Sequence, residues 1–188
     1  MAQDIYLLFC TMLACFLALL FVRAALHKLG DHHRFEGVLA DYAILPNGAL
    51  RASAYALPVA ELATALLLFL PTMRVFGAML GGGLLCVYSL AMVVNLIRGH
   101  TLLDCGCGGP PEPISWLLVA RNAVLVGLIT PTAFGTVPAT SSSFASEIAA
   151  LGIAALAGLL WLAAEAALFN ARQMRATLPL PSATWSGL

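Results

Sequence analysis

Two cysteines one residue apart, Cys105 and Cys107, stand in the stretch Leu103-Asp104-Cys105-Gly106-Cys107-Gly108-Gly109. A disulfide across Cys-Gly-Cys closes a smaller ring than one across Cys-x-x-Cys, so it is expected to be strained. Strained, exposed disulfides are the labile kind that exchanges with other thiols. The glycines allow the positive φ and tight curvature that such a ring needs. The loop runs into an apolar segment expected to be a helix, whose N-terminal dipole would favour a thiolate. The chemistry that fits is thiol–disulfide exchange. Two other readings stay open on these residues alone. His33, His100 or Asp104 would be needed to complete a metal site, and one intervening residue is a poor match to the usual zinc spacing, so no metal ligand is assigned. A purely structural disulfide is the third.

A second group of chemistry-bearing residues lies inside apolar stretches. Glu61 falls about eight residues into one apolar run and Arg121, followed by Asn122, about seven into another, which at about 1.5 Å per residue gives both a similar depth of roughly 10–12 Å. A lone charge at such a depth in lipid costs about 2.5–3.5 kcal/mol even on a lenient scale, so Glu61 and Arg121 are expected to pair. Such a pair would either fix helix register or take part in the chemistry.

The elements that hold these residues are legible as hydrophobic runs. The chain is 61% hydrophobic and only 10% charged, and its mean hydropathy is +0.94. Soluble domains carry roughly 25% charged residues, so water could not solvate this surface. The fold class expected is all-α: a polytopic membrane bundle of about five transmembrane helices. Their spans are 5–26, 52–70, 75–97, 114–130 and 148–169, in one membrane domain over 1–170, with a mobile tail at 171–188. The first run, Ile5–Val22, exceeds the apolar core of a signal peptide and reads as a retained helix. Phe35–Leu50 spaces Phe35, Leu39 and Tyr42 as a short amphipathic helix at the interface, ended by a turn at Pro46-Asn47-Gly48. Gly77 and Gly81 form a GxxxG pair for close helix packing. Cys10, Cys15 and Cys86 lie in apolar runs and read as small core residues. A formal net charge of zero offers no basic face for nucleic acid.

Because successive spans reverse direction, the connection Lys28–Arg51, the cysteine loop and the tail share one membrane face. The N-terminus, Arg74 and the Ser/Thr-rich loop share the other. Cations gather on the cysteine face (Lys28, Arg34, Arg51, Arg98, Arg172, Arg175), against Arg74 opposite. The positive-inside bias alone would therefore make the cysteine loop cytoplasmic.

The order of motifs resembles the methylamine-utilisation MauE family, within the wider DoxX-like group of small membrane proteins. The resemblance covers about residues 20 to 130. It is carried by Lys28-Leu29, Phe35…Leu39…Tyr42…Leu45-Pro46, Leu57-Pro58…Glu61-Leu62, Arg98-Gly99-His100, Cys105-Gly106-Cys107-Gly108, and Ser115-Trp116 before Arg121-Asn122. It implies an accessory role in maturing methylamine dehydrogenase, alongside the membrane-anchored thioredoxin-like protein MauD. The pair is linked to disulfide formation in the dehydrogenase small subunit, which is periplasmic. The layout also looks like the four-helix bundles of vitamin K epoxide reductase and DsbB, where electrons pass from a thioredoxin partner to a membrane quinone. By that analogy, Cys105 and Cys107 exchange with a partner's Cys-x-x-Cys, with Glu61, Arg121, Asn122, His100 and Asp104 in support. A quinone is then the candidate electron acceptor. The implied location is the bacterial inner membrane, with the cysteine loop facing the periplasm. A non-enzymatic membrane scaffold for the partner, or a Cys/His metal carrier, are the alternatives.

Overall fold

The computed structural model describes residues 2–106, 113–134 and 152–161, together with 163–164, 166–167, 170 and 174. Among them there is no β-strand, and the elements are helices: α1 (Ala2–Gly30), α2 (His32–Asp41), α3 (Asn47–Phe69), α4 (Arg74–Ile97) and α5 (Trp116–Phe134). A 3-10 turn at Pro71–Met73 joins α3 to α4, and a shorter apolar helix, α6, covers Gly152–Trp161. Four described stretches are long and apolar enough to cross a bilayer, namely Ile5–Gly30, Asn47–Phe69, Pro71–Ile97 and Trp116–Ala133. Their outward residues, such as Leu66, Met79, Leu90 and Val124, are exposed apolar side chains. That is the arrangement a lipid solvent selects, since every backbone polar group is satisfied inside the helix and only hydrocarbon faces outward.

The bundle closes as a ring: α1 packs on α3, α3 on α4, α4 on α5, and α5 back on α1. Leu17, Phe21, Leu68, Leu85 and Ile129 meet at its centre. Two glycines set the α3–α4 distance. A Cβ on Gly77 would lie 2.7 Å from the backbone nitrogen of Leu68, and one on Gly81 would lie 2.7 Å from Ile129 Cδ1 and 2.8 Å from Thr64 Cγ2. The expected packing role of this pair is what the structure has. Cys10 and Cys15 are buried as expected, but Cys86 is exposed. It faces away from the bundle, because the buried stripe of α4 runs through Gly81, Leu84, Leu85 and Met92.

Two boundaries differ from the sequence expectation. The α3 helix begins at Asn47 rather than residue 52, with Pro46 as its N-cap at φ −66° and ψ 147°. Proline has no N–H to lose at a helix start, so the break falls earlier, at Tyr42–Pro46, where Ala43 takes φ 49°. The α5 helix runs through Pro131 to Phe134. Beside the proline, the hydroxyls of Thr130 and Thr132 donate to the carbonyls of Val126 (2.9 Å) and Ile129 (2.6 Å) of the same helix, so neither hydroxyl faces lipid without a partner. Of the expected fifth span, α6 is the described part. It docks on α1 through an edge-to-face contact between Trp161 and Phe16, 5.9 Å between ring centres. The flanks of that span and the tail fall largely outside the described residues.

Candidate functional site

The site is built at the end of the bundle where α1 hands over to α2 and α4 to the cysteine loop. Asp31 caps α2, its Oδ1 accepting from the Arg34 backbone N–H at 3.1 Å. The first turn of α2 thereby presents Arg34, whose Nη2 donates to Asp104 Oδ2 at 2.7 Å. The other carboxylate oxygen of Asp104 accepts from the Gly106 N–H at 3.2 Å. Ile114 N–H to Leu103 O (2.9 Å) closes the base of the loop, beside a bridge between Asp104 and Pro113. One carboxylate thus ties the loop to α2 and shapes its backbone. Cys105 is disulfide-bonded, and it packs against Tyr42, Met92, Ile114 and Leu118. Gly106 has φ +66°, and a Cβ there would press on Val38 Cγ1 at 3.1 Å, so glycine is required on both counts. Cys107 lies outside the described residues.

His100, though exposed, meets a polar hub at Asn95 rather than the cysteine. Its Nδ1 is 3.3 Å from Asn95 Oδ1, and its backbone N–H donates to Asn95 O. Asn95, fully buried, donates through Nδ2 to Tyr42 O and to Ala91 O, each at 3.2 Å. This side chain welds the end of α4 to the bend between α2 and α3. Tyr42 closes the same corner; burial pushes its phenol up to about 12, and the Asp104 carboxylate adds to the shift. It therefore stays a neutral hydroxyl across the physiological range. Among the described residues no three His, Cys, Asp or Glu side chains gather as a cation site would require.

Glu61 has a different partner from the one expected. Lys28 Nζ donates to its Oε1 at 2.5 Å, with both side chains almost fully buried, and the Tyr88 hydroxyl donates to the same oxygen at 2.9 Å. Arg121 does not take that place, because α1 carries helical geometry to Gly30, which swings Lys28 into the bundle instead of leaving it in a loop. The expected similarity of depth nevertheless holds. Glu61, Arg121, Asn122 and Arg23 line one small cavity of about 70 Å³. Glu61 Oε2 and Asn122 Nδ2 are buried without a protein partner, so the cavity is polar and has room for water.

On the other side of the Lys28–Glu61 pair lies a larger pocket of about 250 Å³. Lys28 and Tyr88 line both cavities and form the partition between them. The larger pocket is walled by Phe35, Leu39, Leu57 and Met92, and Cys105 and Gly106 belong to its lining. Lys28 Nζ sits 5.4 Å from the Phe35 ring centre and 5.3 Å from that of Tyr88, so the cation is held by aromatic faces as well as by Glu61. An apolar pocket with a few convergent polar groups is the usual form of a small-molecule site.

The structure thus brings Glu61, Arg121 and Asn122 to one cavity and holds Asp104 and Cys105 together in the loop. His100 stands apart, at the Asn95 hub. Lys28, Tyr88, Asn95 and Arg34 were missed as site residues. Asn95 had a signal, being the lone amide in an apolar helix. Lys28 had one too, lying at the end of the first apolar run. Tyr88 carried no signal beyond its hydroxyl.

Comparison with known proteins gives a consistent result. The profile of the family described as Methylamine utilisation protein MauE matches residues 6–138. The methylamine utilization protein MauE of Paracoccus denitrificans is 42% identical over 155 residues, covering 81% of this chain and 83% of that protein. Its counterpart in Methylophilus methylotrophus is 34% identical over 153 residues, 80% of each chain. That of Paracoccus versutus is 46% identical over 118 residues, 62% of this chain and 63% of that protein. No solved structure matches the chain.

Proposed function

The chain belongs to the methylamine utilisation MauE family, and from that premise we propose that it is a membrane thiol–disulfide factor in the maturation of methylamine dehydrogenase. Its partner in this reading is the thioredoxin-like protein MauD, and its redox centre is a Cys105–Cys107 disulfide on the periplasmic side of the inner membrane. The observation that carries the proposal is the state of Cys105, which is disulfide-bonded in a loop clamped to α2 by Arg34 and Asp104. The other described cysteines, Cys10, Cys15 and Cys86, form no disulfide, which supports Cys107 as the mate.

The reaction is an exchange. A thiolate of the partner's dithiol attacks one sulfur of the disulfide and displaces the other as a thiolate. The partner's second thiol then resolves the mixed disulfide, leaving the partner oxidised and the Cys105–Cys107 pair reduced. The periplasmic orientation rests on the family resemblance. Of the cations that count against it, Lys28 is inside the bundle and Arg34 is committed to Asp104, while Arg51, Arg98, Arg172 and Arg175 still favour the opposite orientation by the positive-inside bias.

Cys105→Ser and Cys107→Ser are expected to insert normally and to abolish maturation of the dehydrogenase, read as enzyme activity in cells growing on methylamine. Full activity in both variants overturns the redox reading.

A further inference from the structure

We infer that the pocket between α2, α3 and α4 binds the ring of a lipid-soluble, quinone-type acceptor, with Lys28 meeting its carbonyl oxygen and Tyr88 and Cys105 in its wall. This rests on the redox reading above and names the reactant that restores the disulfide. Exchange leaves two electrons on the Cys105 pair, and a second reactant has to remove them. The pocket limits what that reactant is. Its walls are almost wholly apolar, with Phe35, Leu39, Leu57 and Met92 among them, so a charged or sugar-bearing acceptor would lose its hydration without replacement. It is also lined by Ala56 and Val87, which are exposed on stretches of α3 and α4 that cross the bilayer, so it opens toward lipid. Its volume of about 250 Å³ suits a single ring rather than a peptide segment.

The polar atoms choose the ligand's functional group. Lys28 Nζ and the Tyr88 hydroxyl both converge on Glu61 Oε1, and both residues line the pocket. A buried cation held beside an apolar chamber favours a carbonyl oxygen that gains negative charge as it is reduced. The step balances. The two thiols of the reduced pair lose two electrons and two protons as their S–S bond forms, and the acceptor's two carbonyl oxygens become hydroxyls. Lys28 passes one proton to the nearer oxygen and regains one of the two that the thiols release.

The test uses the full chain in lipid nanodiscs and a short-chain benzoquinone as the probe. Binding is measured in the Cys105→Ser protein, where no electron transfer can occur, and reduction of the probe is followed by its ultraviolet absorbance in the dithiol wild type. Saturable binding is expected in both proteins. Ala56→Phe, placed at an exposed position of the wall, is expected to weaken binding at least tenfold. Lys28→Gln, assayed as folded protein at saturating probe, is expected to reduce the probe at least tenfold more slowly than wild type. Lys28→Arg should recover part of that rate. Absence of saturable binding, or equal binding by folded Ala56→Phe, overturns the inference while leaving thiol exchange with the partner intact. Binding that persists while Cys105→Ser and Cys107→Ser still mature the dehydrogenase overturns the redox reading instead.

Discussion

At the scale of single residues, the decisive feature is how much chemistry rests on one carboxylate oxygen. Glu61 Oε1 accepts from Lys28 and from Tyr88, where both charged side chains are almost fully buried. Removing one partner of such a pair usually costs about 3–5 kcal/mol, because the other is left buried and uncompensated. Lys28→Met is therefore expected to destabilise the bundle by about that amount, whereas Lys28→Met combined with Glu61→Leu should recover most of the loss. Thermal denaturation in detergent checks both, and equal damage in the single and double variants would argue against a coupled pair. Gly106 gives a second prediction. Its φ of +66° and the 3.1 Å approach of Val38 make Gly106→Ala strained, by roughly 1–3 kcal/mol. Faster reduction of the Cys105 disulfide by dithiothreitol is the expected sign. Glu61 was visible in the sequence as an intramembrane charge, but its partner was not. Depth counting ranked Arg121 and passed over Lys28, because the first span was ended at the first polar cluster rather than at the last helical residue.

At the scale of elements, helix identity was set by hydropathy and helix spacing by glycine. Gly77 and Gly81 bring α4 against α3 so closely that a Cβ would meet backbone or core atoms at 2.7 Å, while Gly83 has nothing within 4 Å. Gly81→Leu is expected to cost at least about 1–3 kcal/mol through overpacking, and Gly83→Ala to be neutral. Detergent-resistant folding, followed by size-exclusion profile, separates them, and comparable losses at both positions would count against this account. The amphipathic connection was legible too, since Phe35 falls on the buried side of α2. Its end was not, because the Pro46-Asn47-Gly48 triplet reads as a turn in isolation but starts a helix when Pro46 supplies the N-cap.

At the scale of the whole molecule, one end carries the loop, α2 and both cavities, and the α3–α4 connection marks the other. There Arg74, buried, donates to Thr11 Oγ1 at 3.0 Å, which puts it beside the N-terminal half of α1, opposite the cysteine loop. Orientation is therefore testable with two sites. In a Cys86→Ala background, Leu102→Cys, at 93% exposure, is expected to react with a membrane-impermeant maleimide added from the periplasm. Met73→Cys should react only from the cytoplasm, and the reverse pattern would sink the periplasmic proposal. The sequence by itself determined that the chain is a helical membrane bundle, which residues are too polar for its interior, and that the cysteine loop shares a face with the α1–α3 connection. These follow from periodicity, from hydrophobic length and from the parity of successive spans, all of which are local or countable along the chain. Only the tertiary structure decided that Lys28 takes Glu61, that Asn95 joins α4 to the α2–α3 bend, and that an apolar pocket lies between the ion pair and Cys105. Those depend on how helices rotate about their own axes. In lipid that rotation is fixed by glycine contacts and buried polar pairs rather than by a polar–apolar pattern, so reading along the chain does not give it.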